Sequence, residues 1–189
     1  MPNSPSLFDE LKAAARGFVA LLTGDRQASD YFDFSQRGLV GSFIALILAT
    51  VTTSFGPGLF GVPGEAGDAT RSVILGAGLY GIQVGVIYLL LRQLGRSDGF
   101  VPYLVADNWI SLFIAILTLF MVLTFGANEF AILGIGLVAI VLEVNIARLI
   151  VTLAPMQIVM FIIAQLVAQF VGIFLLAAIV PGTGAPPPV

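Results

Sequence analysis

The sequence contains no cysteine and no histidine. The missing thiols exclude disulfides, thiolate metal sites and c-type haem attachment. The missing imidazoles exclude the commonest metal and haem ligand, and the usual general base near neutral pH. We therefore expect no metal site, no cofactor and no enzymatic activity.

Charged side chains are also scarce. Only 10% of the 189 residues are charged and 58% are hydrophobic, whereas a soluble domain carries about 25% charged residues. The mean hydropathy of +1.04 indicates a surface that faces lipid rather than water. The net charge of -3 does not indicate a nucleic acid partner. The expected partners are membrane lipids and either other membrane protein subunits or further copies of the chain.

Apolar stretches occupy most of the chain, and each is long enough for the roughly 20 residues that a membrane-spanning helix needs. They are Gly38–Gly56, Ser72–Leu94, Tyr103–Phe125, Phe130–Leu153 and Met156–Val180. The sequence therefore predicts an all-α integral membrane bundle of about five transmembrane helices over residues 38–180. Pro155 favours a break between the last two spans, because the residue before a proline is disfavoured in helix. One long broken helix is the alternative. Residues 181–189 read as a flexible tail.

The amino-terminal segment, residues 1–37, is predicted to contain an amphipathic helix over residues 6–22. Its apolar stripe has helical spacing and consists of Leu7, Leu11, Ala14, Phe18 and Leu22. Ser6 with Asp9 resembles a capping box, and Gly24 is suited to the carboxyl-terminal cap. Such a helix lies at the membrane interface or packs across the end of the bundle.

Basic residues set the expected orientation, because lysine and arginine concentrate in short cytoplasmic loops. With five spans, seven of the eight basic residues fall on one side of the membrane. These seven are Lys12, Arg16, Arg26, Arg37, Arg92, Arg96 and Arg148, and only Arg71 falls on the other side. The count predicts a cytoplasmic amino terminus and a periplasmic carboxyl terminus in a bacterial inner membrane.

A polar cluster is predicted inside the membrane. The third and fourth spans run antiparallel, which brings to similar depth the residues Asp107, Asn108, Glu143, Asn145 and Arg148. Each intramembrane charge needs a partner or a water-filled cavity. In one interpretation Asp107 pairs with Arg148 and the cluster only fixes helix register. In the other, Asp107 and Glu143 accept a cation or a proton, or bind a polar partner segment.

Further polar and small residues line single helix faces. Asp107, Ser111 and Thr118 share one face of the third span. Gln165 and Gln169 stand one turn apart on the fifth, and Gly81 with Gly85 forms a GxxxG pattern on the second. We interpret the glutamines and glycines as helix-packing residues.

Three stretches carry a resemblance to known proteins. FDFSQRGLVGSF, VPYLVADNWISL and LEVNIARLIVTLAPMQIVMFIIAQL resemble a group of uncharacterised five-span inner-membrane proteins of alphaproteobacteria. Asn108-Trp109 is the clearest point of likeness. The five-span plan with a cytoplasmic amino end is also distantly similar to the Yip1 family. The resemblance implies a bacterial inner-membrane protein and transfers no partner.

These observations lead to a functional hypothesis and its alternatives. The first is a non-enzymatic inner-membrane protein that acts by association, as an accessory, scaffold or assembly subunit of a membrane complex. The alternative is a small transporter or channel that uses Asp107 and Glu143. A third option is a membrane-surface sensor that acts through residues 6–22.

Overall fold

The protein is a bundle of long helices. The computed structural model describes residues 6–62, 67–126 and 128–179, and every regular element in these ranges is helical. The α-helices are α1 (Leu7–Thr23), α2 (Gln36–Leu59), α3 (Asp68–Gln93), α4 (Phe100–Phe125), α5 (Glu129–Asn145) and α6 (Pro155–Ile179). Short 3-10 turns cover Ala28–Tyr31 and Ser97–Gly99, and a π-helical turn, Ile146–Ile150, extends α5. The predicted tail 181–189 lies outside the described residues.

Five of the helices in the described ranges are long and apolar enough to cross a membrane. The spans are Gln36–Leu59, Asp68–Gln93, Ser97–Phe125, Glu129–Ile150 and Pro155–Ile179, with hydropathies between 1.9 and 2.5. The prediction of a multi-pass membrane bundle with five apolar helices is therefore confirmed. The third span begins earlier than predicted, at Ser97 instead of Tyr103, because Pro102 falls in the first turn of α4, where proline is tolerated.

The predicted break between the last two spans is present. Thr152 adopts the left-handed conformation, with a φ of 57°, and α6 begins at Pro155. The side chain of Gln157 accepts a hydrogen bond from the backbone N–H of Ala154 at 2.9 Å. Arg96, in the turn before α4, donates to the carbonyl oxygens of Val151 at 2.5 Å and Thr152 at 2.7 Å. The break is thus tied to the turn between α3 and α4.

Helix α1 has the predicted caps but a different buried face. Ser6 and Asp9 form a reciprocal capping box, whose hydrogen bonds lower the pKa of Asp9, and Gly24 caps the other end with a φ of 71°. The stripe predicted from the large apolar residues is wrong at its ends, since Leu7 and Leu22 are exposed. The buried face consists of Ala14, Gly17, Ala20 and Leu21. Small residues lie inward because Phe32 packs so closely that a Cβ on Gly17 would lie 2.6 Å from its ring.

Helix α1 crosses three of the spans in turn. Near its start, Glu10 pairs with Arg37 at the beginning of α2, at 3.4 Å. Burial raises the pKa of Glu10, while Arg37 lowers it and Asp33 raises it further. In its second half, Phe18 packs on Phe113 of α4 with ring centroids 5.4 Å apart. Its last turn meets α5, and α1 therefore holds α2, α4 and α5 together on one face of the bundle.

The tightest packing lies at the end of the bundle that α1 covers. Within the spans, α2 packs along α4 and α3 packs along α6. The largest fully buried apolar side chains all belong to the half of the bundle nearest α1, the α3–α4 turn and the α5–α6 break. They are Leu21, Ile87, Leu91, Val105, Leu142, Ile146, Val151 and Phe161. The opposite half contributes none of these side chains within the described ranges, and in this sense it is packed more loosely.

Close contact between α3 and α6 depends on glycines other than the predicted pair. A Cβ on Gly78 would lie 2.9 Å from Leu176, and one on Gly172 would lie 2.8 Å from Leu79. Gly81 and Gly85 are exposed, and a Cβ on either would meet no atom of the described residues within 4 Å. Gly81 and Gly85 therefore pack against no other helix within the described part of this chain, and their role as helix-packing residues stays a prediction.

This difference predicts opposite effects for two matched substitutions. Gly172→Leu should destabilise the protein by about 1–3 kcal/mol, because it overpacks the α3–α6 contact. Gly81→Leu should leave stability unchanged or raise it slightly, because its side chain enters open space and leucine favours helix over glycine. Unfolding midpoints in the same detergent provide the measurement. Equal losses in both variants would contradict the assigned packing.

Candidate functional site

Two carboxyl groups meet inside the bundle. Asp107 of α4 and Glu143 of α5 line the same cavity, and their carboxyl groups lie close enough to influence each other. Two carboxylates at close range repel each other, so a proton bound by one of them would stabilise this arrangement. We call these two residues the carboxyl pair. It is therefore a candidate site for a bound proton.

The carboxyl pair faces a cavity of about 290 Å³ between α2, α4 and α5. Asp107, Ser111 and Thr118 all line it, which confirms that they share one face. Thr50 of α2 lines the opposite wall. The hydroxyls of Thr118 and Thr50 donate to the carbonyls of their own helices, at 2.7 and 3.0 Å, so their oxygens remain available as acceptors. We call this space the large cavity, only to distinguish it from a smaller one on the other side of Glu143.

On its other side, Glu143 contacts glutamines. The amide nitrogen of Gln165 donates to Glu143 Oε2 at 2.9 Å. One turn further along α6, Gln169 accepts from the amide nitrogen of Gln83 on α3 at 2.6 Å. All four side chains line a second cavity of about 160 Å³, which we call the small cavity. Gln165 and Gln169 do connect helices, as predicted, but Gln165 also belongs to the site.

Asn108 is fully buried and connects three spans. Its side-chain oxygen accepts from the hydroxyl of Tyr80 on α3 at 2.8 Å, and its nitrogen donates to Ser42 Oγ on α2 at 3.0 Å. Ser42 in turn donates to the carbonyl of Leu39 at 2.8 Å. Asn108 therefore lies beside Asp107 in sequence but serves a separate, structural network.

The remaining two residues of the predicted cluster lie elsewhere. Asn145 donates to the carbonyl of Leu21 at 2.7 Å and so holds the end of α1. Arg148 is exposed on the π-helical turn. At about 100° per residue, five positions place Arg148 about 140° around the helix from Glu143. The prediction that all five residues form one cluster is therefore wrong, since the structure brings together only Asp107 and Glu143.

Sequence reasoning missed three participants, which are Gln83, Tyr80 and Ser42. Gln83 was visible only as a middle residue of the Gly81–Gly85 pattern. Its position inside a span, where an unpaired amide is costly, is the signal that could have identified it. Tyr80 and Ser42 carry no such signal, because tyrosine and serine are common in transmembrane helices without any interhelical partner.

No protein-family model, curated protein or solved structure matches this chain. The likeness to five-span alphaproteobacterial proteins and to the Yip1 family consequently stays a prediction. Within residues 6–62, 67–126 and 128–179, no three acidic side chains lie close enough together to hold a metal ion.

We expect substitutions of Asn108 and Arg148, two residues of the polar cluster predicted from the sequence, to affect stability unequally. Asn108→Leu should destabilise the protein by about 1–3 kcal/mol, because it leaves the Tyr80 hydroxyl buried without a partner. Arg148→Gln should change stability by less than about 0.5 kcal/mol, as surface substitutions do. Unfolding in mixed detergent micelles measures both. Adding Tyr80→Phe to Asn108→Leu should recover part of the loss, and a larger loss in Arg148→Gln than in Asn108→Leu would contradict the assignment.

Proposed function

We propose that this protein is a small membrane transporter that binds a proton or a cation at Asp107 and Glu143. The observation that carries this proposal is the position of both carboxyl groups on the wall of one cavity, the large cavity, inside the spans. An ionisable residue inside a membrane is costly and marks a proton or ion pathway unless another charge satisfies it.

Arg148 was the residue that could have given the carboxyl pair a purely structural role. Its exposed position removes the ion pair on which that interpretation depended. Within the described ranges no basic side chain forms an ion pair with Asp107 or Glu143, and the neutral amide of Gln165 donates to Glu143. This environment favours exchange of a proton over permanent neutralisation by a basic side chain.

The hydroxyls in the large cavity support a role in transport. Thr50, Ser111 and Thr118 place oxygen atoms along a wall that starts at the carboxyl pair and continues toward the loosely packed half of the bundle. Such oxygens can hold water or replace the hydration of a small cation. The tight packing at the α1 end closes the opposite direction.

We further propose a location in a bacterial inner membrane with the amino terminus in the cytoplasm. The distribution of basic residues supports this, since seven of eight belong to segments at the α1 end. Helix α1 is proposed to lie at the membrane interface. Its exposed residues Phe8, Lys12, Arg16 and Val19 combine apolar and basic groups, and Lys12 Nζ lies 4.3 Å from the centre of the Phe8 ring. This combination suits anionic headgroups.

Action by association, as an accessory or scaffold subunit, receives less support than transport. The exposed Gly81 and Gly85 would allow another helix to approach α3 closely, but an exposed glycine face is also compatible with lipid. Both proposals, transport and action by association, are non-enzymatic, in keeping with the lack of histidine and cysteine in the sequence.

Reaction with a hydrophobic carbodiimide tests the carboxyl pair without knowledge of the substrate. The reagent adds to protonated carboxyl groups in apolar surroundings, so Asp107 or Glu143 should be labelled, and labelling should slow as the pH rises. Asp107→Asn and Glu143→Gln should each reduce the total, as measured by mass spectrometry of the purified protein in lipid vesicles.

Two controls accompany that experiment. Arg148→Gln should keep the labelling of the wild type, because Arg148 lies away from the site. Glu129, which is exposed at the start of α5, supplies the background rate within the same molecule. Labelling of Asp107 and Glu143 no faster than that of Glu129 would contradict a proton-binding site.

The proposed orientation can be tested with single cysteines, because the chain has none of its own. Glu129→Cys should react with a membrane-impermeant thiol reagent in intact cells, since it lies at the end of the bundle opposite α1. Ser97→Cys should react only after the membrane is opened, since it lies in the turn between α3 and α4. The reverse pattern would overturn the orientation.

A further inference from the structure

We propose that the small cavity is a binding site for a small protonated aliphatic amine, which exchanges with the proton of the carboxyl pair. This inference rests on the proposed function and names the class of its cargo. The juxtaposition that carries it is a single carboxyl group, Glu143, which lines both cavities.

The small cavity is lined by one acid, three amides and four apolar side chains. These are Glu143, Gln83, Gln165, Gln169, Ala139, Ile140, Ile162 and Leu166. A few placed polar groups on a mostly apolar wall are the usual composition of a small-molecule site. Its volume of about 160 Å³ is well below the roughly 300–1,000 Å³ of pockets for drug-sized ligands. A ligand of only a few heavy atoms is therefore expected.

Hydrogen-bonding capacity identifies the charged end of that ligand. The amide nitrogens of Gln165 and Gln83 are engaged by Glu143 and Gln169. The side-chain oxygens of Gln165 and Gln83 accept no hydrogen bond from the described residues, and the carboxyl group of Glu143 has further acceptor capacity. A primary ammonium group has three N–H donors, which match these three acceptors.

The apolar part of the wall argues against a bare metal ion. An alkali or alkaline-earth ion is surrounded by oxygen ligands on all sides, whereas Ile140, Ile162 and Leu166 cover one side of the small cavity. A short alkyl chain would pack on these residues while its ammonium group faces Glu143. The cavity thus has one end for each part of an aliphatic amine.

Exchange with a proton follows from the position of Glu143. The titratable groups near it are Asp107, on the wall of the same large cavity, and Tyr103, while Tyr80 lies close to Asp107. Arriving ammonium needs a negative charge on Glu143, and that charge appears when the carboxyl pair releases its proton toward the large cavity. Amine binding and proton binding therefore compete, and amine affinity should fall as the pH is lowered.

Equilibrium binding of radiolabelled methylammonium to the purified full-length protein tests this inference. The wild type should bind it saturably, and more weakly at lower pH. Gln165→Leu and Gln83→Leu should each weaken binding about tenfold or more, because each removes one acceptor to a charged donor. The matched control is Gln93→Leu, which changes an exposed glutamine at the end of α3 and should bind as the wild type does.

Several results would overturn the amine site. Equal binding in wild type, Gln165→Leu and Gln83→Leu would do so, as would displacement of methylammonium by sodium at similar concentrations, which would indicate an alkali-ion site. If a glutamine variant fails to fold, the wild type still decides, because bound methylammonium should slow the carbodiimide reaction of Glu143.

The two proposals fail in distinguishable ways. Carbodiimide labelling of the carboxyl pair without methylammonium binding would overturn the amine site and leave the proton site intact. Methylammonium binding without labelling would keep an amine-binding cavity but overturn the proton site, and with it the exchange of amine for proton. Absence of both would overturn both.

Discussion

Inside a bilayer, polar side chains must find their hydrogen-bond partners within the protein because lipid offers none, and this constraint organises the whole bundle. Apolar contact alone gives little reason for helices to associate in lipid. Here each span contributes a polar group to a bond with another span. Tyr80, Asn108 and Ser42 join α3, α4 and α2. The contacts of Glu143 with Asp107 and Gln165, together with the Gln83–Gln169 bond, join the remaining helices.

The elements of this fold could be read from the sequence, because span length, Pro155 and the caps of α1 are local signals. The site could be predicted only in part. Antiparallel spans bring residues to the same depth, which correctly placed Asp107 near Glu143. Depth does not fix direction around the helix axis, and at about 100° per residue a neighbour in sequence points elsewhere. That angle separates Asn108, Asn145 and Arg148 from the carboxyl pair.

The same limitation applies to the glycines. Gly78, Gly81 and Gly85 all lie within two turns of α3, and the sequence does not show which of them faces α6. The partner decides, since Leu176 and Leu79 fill the space that Gly78 and Gly172 leave open. On α1 the large apolar residues suggested the inward face, but close approach of Phe32 required the small ones. Packing against a specific neighbour is information that one helix does not contain.

The break between α5 and α6 is the fixed end of a long helix. Arg96 donates hydrogen bonds to the carbonyls of Val151 and Thr152 at this break, while Gln169 lies further along α6. Gln169 lies fourteen residues beyond Pro155, which at about 1.5 Å per residue is about 21 Å along the helix axis. If α6 tilted by about 5° at the break, Gln169 would move by about 2 Å over that length. Such a displacement exceeds what the 2.6 Å bond to Gln83 can absorb. A small change in how Arg96 binds these carbonyls would therefore break the hydrogen bond between Gln83 and Gln169, about 21 Å away along α6.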